Sequence, residues 1–108
     1  MHASSSMKGN VDVMTRANDR QVTIQGWLAD PVGDTASMAI IFVGGKHVAS
    51  TRTQGERPDV TKALGLASGA ERNVALTVTF QCPAGARPFI VGLGSDNQYF
   101  AVSSPPCP

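Results

Sequence analysis

Alternation of apolar and polar side chains at period two is the dominant pattern of this chain, and it predicts strands. It is clearest where Val74, Leu76, Val78 and Phe80 alternate with Ala75, Thr77, Thr79 and Gln81, and Cys82 continues the inward phase. Val22, Ile24 and Gly26 alternate likewise with Thr23, Gln25 and Trp27, so Val22 and Ile24 face a core while Trp27 points to the other side. Met38 to Val43 is apolar at every position, the pattern of a central strand covered on both faces. Shorter runs complete the set: Asn10 to Thr15, Lys46 to Thr53, a strand marked by Phe89, Val91 and Leu93, and Tyr99 to Ser103. Within the third of these, Gly92 leaves room for a close neighbour.

Turn chemistry separates the runs. Gly44-Gly45 predicts a hairpin that returns Lys46 to Thr53 antiparallel to Met38 to Val43. The stretches from Ala17 to Arg20, Asp30 to Asp34, Pro83 to Pro88 and Ser95 to Gln98 read as turns or loops. From Glu56 to Leu66 the pattern changes: Pro58 can open a helical turn, Val60, Ala63 and Leu64 fall at helical spacing, and Gly65 can end it. One short helical insertion is therefore expected there, followed by a polar connection from Ser68 to Asn73. About seven strands with that insertion predict an all-β fold, a two-sheet antiparallel sandwich.

With 108 residues and 42% apolar content, the chain can fill one core but not two. Residues 1–9 contain the run Ser4-Ser5-Ser6 and a second methionine, Met7, and read as a disordered leader, which leaves 10–108 as a single domain. Nine basic and eight acidic side chains leave a net charge of +1, too weak a field to expect nucleic acid as a partner. No apolar run approaches the roughly 18 residues of a membrane span, so no membrane insertion is expected. The apolar h-region of a secretory signal is also lacking, so export would need a signal beyond this sequence.

Export is nevertheless suggested by the two cysteines. Cys82 closes an alternating run, Cys107 stands between prolines in the tail, and there is no CxxC. A Cys82–Cys107 bridge would pin the tail and, on the chain-entropy model, stabilise the fold by roughly 3 kcal/mol. It would place the protein in the periplasm or outside the cell.

Candidate chemistry is sparse. His47 is the one histidine beyond the leader, and no nucleophile elbow accompanies it. Once the cysteines are bridged, only His47 remains as a zinc ligand of that type. Asp30, Asp34, Asp59 and Asp96 match no recognised calcium loop, and turn formation explains them better. Glu56, Glu71 and scattered aspartates do not suggest a carboxylate pair across a cleft, and Gly44-Gly45-Lys46 lacks the spacing of a phosphate loop. No catalytic residue, metal or cofactor is expected. Trp27 and Tyr99 are the rings that could stack on a sugar. The alternative places Trp27 under the segment 57–60, where Arg57 would stack on the indole or pair with Asp59 or Asp30.

Two motifs carry a resemblance. Gly26-Trp27-Leu28-Ala29-Asp30 and Arg57-Pro58-Asp59-Val60, separated by two strands and a Gly-Gly turn, resemble the GWxxD and RPDV signatures of small exported bacterial immunoglobulin-like β-sandwich modules. The likeness runs from Val11 to Val102, and the Cys82 and Cys107 pair is not part of its pattern. It implies an accessory or binding module rather than an enzyme, with Trp27, Asp30, Arg57 and Asp59 shaping the structure, and it implies no ligand. The expected function is non-enzymatic binding of a protein or cell-envelope component through loops or the uncovered edge strand Lys46 to Thr53, by a monomer. Two alternatives stand beside it: a carbohydrate-binding module that uses Trp27 and Tyr99 on a glycan, and a surface-exposed or secreted antigen with a structural role.

Overall fold

The computed structural model describes residues 2–3, 7–30, 37–55, 57, 59, 62, 74–94 and 98–108. Among them, eight strands follow one another: β1 (His2–Ala3), β2 (Lys8–Arg16), β3 (Gln21–Ala29), β4 (Met38–Val43), β5 (Lys46–Arg52), β6 (Ala75–Gln81), β7 (Phe89–Leu93) and β8 (Gln98–Val102). Seven of them build two antiparallel sheets, β2-β3-β6 and β8-β7-β4-β5, and the two-residue β1 adds a parallel edge beside β8. This is the two-sheet antiparallel sandwich predicted from the alternation.

One core draws on both sheets. Val22, Ile24, Leu28, Leu76 and Phe80 come from the smaller sheet and Ala39, Ile41, Ile90 and Val102 from the larger, all buried. The inward phase of β3 and β6 follows from the sequence because Thr23 and Gln25 in β3 and Ala75, Thr77, Thr79 and Gln81 in β6 are polar or small enough to face water. At the β4–β5 hairpin, Gly44 and Gly45 take φ of 60° and 78°, the left-handed conformations of a type I′ turn. The Cys82–Cys107 disulfide forms across 25 positions. Around it Cys107 donates its amide to the Ala86 carbonyl (2.7 Å), and Arg16 donates to the carbonyls of Cys82 (2.9 Å, Nη1) and Pro108 (3.1 Å, Nε).

One expectation is corrected. The exclusion of residues 1–9 from the fold does not hold: Met7 is 1% exposed in the core, Lys8 and Gly9 open β2, and His2–Ala3 pairs with β8. A single methionine fills a core site without altering the polar composition of its neighbourhood. In β7, Phe89, Val91 and Leu93 face outward, whereas Ile90 and Gly92 face the core. Its apolar residues leave no polar phase to read, and packing decides instead: a Cβ on Gly92 would stand 2.6 Å from Leu28 Cδ1, so the Leu28 side chain occupies that space.

The helical insertion expected over Glu56 to Leu66 lies outside the described residues except for Arg57, Asp59 and Lys62. The connection from Ser68 to Asn73, Asp34 and Asp96 also lie outside them.

Candidate functional site

The geometry around the two motifs begins with one extra residue. In β2, Val11 stands opposite Gly26 and Val13 opposite Gln25, so Asp12 is a β-bulge. The bulge drives the β2 backbone into the space beside Gly26, where an added Cβ would meet the Asn10 carbonyl oxygen at 2.0 Å. Glycine is therefore required. The same bulge directs Asp12 toward Arg57, whose Nη2 donates to Asp12 Oδ2 (3.1 Å) and Asp59 Oδ2 (2.9 Å) and whose Nε donates to Asp59 Oδ1 (3.1 Å). Arg57 Nη1 donates to the Gly26 carbonyl at 3.3 Å, and through this bond the two sequence motifs meet.

Bonds to Asp59 first and Asp12 second hold the Arg57 guanidinium above its ordinary pKa, so it stays charged. Both ion pairs are partly open to water, and each contributes no more than about 1 kcal/mol. The arrangement fastens the chain after β5 to the bulge of β2. Its two carboxylates share one cation.

The other expected site residues are dispersed. Trp27 points away from the core and lies half-buried against Ala29 and Val74. Asp30 is buried, and its carboxylate and the Met7 sulfur fill the space beside Gly94. Arg57 pairs with Asp59 and not with Asp30. Tyr99 stands opposite Leu93 on the outer face of the larger sheet, so Trp27 and Tyr99 lie on opposite sides of the sandwich and form no common sugar platform. His47 is exposed and meets the Phe42 ring edge-on at 6.0 Å. No group of three or more His, Cys, Asp or Glu able to hold a metal ion occurs among the described residues. Asp12 was not foreseen, although Val11 and Met14, both packed against the core and three positions apart, cannot share a face of a regular strand.

The two outer faces differ sharply in chemistry. Residues directly opposite in an antiparallel pair share a face. On the larger sheet this gives the ranks His47-Phe42-Phe89, Ser50-Ile40-Val91-Ala101 and Arg52-Met38-Leu93-Tyr99. Polar groups are confined to β5 and the Tyr99 hydroxyl. Phe89 is 56% exposed, the more exposed of two large apolar side chains so open among the described residues, and its ring lies 6.4 Å from that of Phe42.

On the smaller sheet the ranks are Gln21-Gln81, Thr15-Thr23-Thr79, Val13-Gln25-Thr77 and Asn10-Trp27-Ala75. The Thr23 and Thr79 hydroxyls bond to each other at 2.8 Å. Beyond the first rank, the β2–β3 turn opens a cleft of about 450 Å³ lined by Asn18, Asp19, Arg20, Gln21 and Gln81. Asn18 Oδ1 shapes this turn by accepting the amides of Arg20 and Gln21, each at 2.9 Å. Asp19 and Arg20 take part in no ion pair among the described residues.

Comparison with known proteins finds no matching family model, no matching curated protein and no matching solved structure.

Proposed function

We propose that this chain is a non-enzymatic binding module of the periplasm or extracellular space, which docks a protein or envelope component of apolar surface on the outer face of its larger sheet. The observation that carries this reading is the block Met38, Ile40, Phe42, Phe89, Val91 and Leu93, which faces outward on two adjacent strands without a charged residue among them, Phe89 exposed and the other five half-buried. Contiguous apolar surface of this kind marks interaction sites, because covering it releases water at about 25 cal/mol per Å². The disulfide supports an oxidising compartment.

The face is a better docking surface than the neighbouring edge. β5 carries Lys46 and Arg52, and a register shift beside Ile41 and Phe42 leaves Val48 without an opposite partner. Charges and a bulge both discourage strand addition.

The test compares the wild type with a Phe89→Ser/Val91→Ser variant by chemical crosslinking on envelope preparations from the native host. The wild type is expected to form a discrete crosslinked species that the variant loses at unchanged thermal midpoint. A species formed equally by both, or none at all, rejects the proposed face. Hydrolytic turnover that disappears on His47→Ala would reject the non-enzymatic reading.

A further inference from the structure

We propose that the outer face of the smaller sheet binds a second, different ligand: a neutral polysaccharide laid along β3 and β6. From Gln21 to Trp27 this face runs about 20 Å, six strand steps, enough for several sugar units. Its central groups are Gln21, Thr23 and Gln25 on β3 and Thr77, Thr79 and Gln81 on β6, in register and without a charge among them. Surface sheets usually carry lysine and glutamate at such positions for solubility. The nearby charges are placed elsewhere: Arg57 is paired with Asp12 and Asp59, and Asp19 and Arg20 sit together in the cleft at the end.

Sugar hydroxyls both donate and accept, and carboxamides and hydroxyls do the same. The Thr23–Thr79 bond fixes two of these groups in place. One hydroxyl spends its hydrogen on the other, and the acceptor keeps its own hydrogen for a ligand. Gln21 is also held, its Oε1 accepting from Asn18 Nδ2 at 2.9 Å, which leaves its NH₂ group to donate. Groups ordered before binding lose less entropy on complex formation. Trp27 closes the far end of the face with the part of its indole that Ala29 and Val74 leave uncovered, a surface suited to the apolar side of a pyranose.

Affinity electrophoresis of the full chain tests this, using gels that contain mixed-linkage β-glucan, galactomannan or dextran, with polygalacturonate as the charged comparison. The wild type is expected to be retarded by at least one neutral polymer. Thr23→Val/Thr79→Val, which keeps shape and removes both hydroxyls, should weaken that retardation at least tenfold. Gln25→Leu, from the next rank, should weaken it severalfold and serves if the double variant does not fold. Phe89→Ser/Val91→Ser, on the opposite sheet, should leave it unchanged. Absence of retardation in every neutral gel, undiminished retardation of the folded Thr23→Val/Thr79→Val variant, or retardation by polygalacturonate alone that salt abolishes would each overturn the proposal.

Discussion

Replacing Gly26 by alanine places a methyl group where the Asn10 carbonyl oxygen already stands, at 2.0 Å. A comfortable carbon–oxygen contact is about 3.3 Å, so the β2 backbone must retreat by about 1.3 Å. The obstacle is backbone on a bulge, which cannot rotate out of the way as a side chain would. Stretching the ladder there removes one or two backbone hydrogen bonds at about 1 kcal/mol each and adds overpacking strain of about 1–3 kcal/mol. The expected loss is about 3–4 kcal/mol, a large share of the 5–15 kcal/mol typical of a domain, with a fall in Tm of roughly 10–20 °C.

Equilibrium unfolding in urea, with the disulfide intact and Trp27 fluorescence as probe, measures it. Gly44→Asn is the control: φ there is +60°, nothing lies within 4 Å of an added Cβ, and Asn tolerates that conformation, so its effect should stay within about 0.5 kcal/mol. A double-mutant cycle sharpens the test. Arg57→Ala should cost about 1–2 kcal/mol in the wild type and about half as much beside Gly26→Ala, because the displaced bulge no longer presents Asp12 while the bonds to Asp59 persist. A Gly26→Ala loss below about 1 kcal/mol, or Arg57→Ala effects that simply add, would refute this account.

Cys82→Ala/Cys107→Ala releases a 25-position closure and should lower stability by roughly 3.5 kcal/mol on the chain-entropy model; a loss under about 1 kcal/mol in urea titration would contradict it. Gly92→Ala pushes against Leu28 and should cost about 1–3 kcal/mol, part of which Leu28→Val in the same chain should restore, as thermal unfolding of both variants will report. The raised pKa of Arg57 stabilises its charged form, so its contribution is fully present below the ordinary arginine value and disappears only as pH rises through the raised one. The stability difference between wild type and Arg57→Gln should therefore stay flat from about pH 6 to about pH 10, and a slope across that interval in urea titrations would count against the assignment.

Strands with a polar phase were legible in the sequence. Val22 and Ile24 in β3, and Leu76 and Phe80 in β6, point inward as their alternation predicts, and the Gly44-Gly45 turn and the cysteine bridge also follow from residue type and spacing. β7 was not legible in its facing, because only the fit between Leu28 and Gly92 selects it. Met7 escaped notice since composition averages over neighbours, whereas a core site needs just one side chain. The motif residues fared unevenly for a related reason. Arg57 and Asp59 are two positions apart and could be paired by inspection, but Asp12 reaches them only through a bulge and 45 positions of intervening chain. The contrast between the two outer faces depends on register across strands distant in sequence, which alternation within one strand does not encode.

The bulge at Asp12 also gives this strand one residue beyond its regular count. Before it, Met7, Gly9 and Val11 look inward from odd-numbered positions; after it, Met14 does so from an even-numbered one. Losing that one codon would join Val11 to Val13 in unbroken alternation, so Lys8 and Asn10 would stay in water and Met7 and Val11 in the oil. An in-frame deletion there would thus cost the strand its kink and the carboxylate that meets Arg57, and leave its inward-facing residues in place.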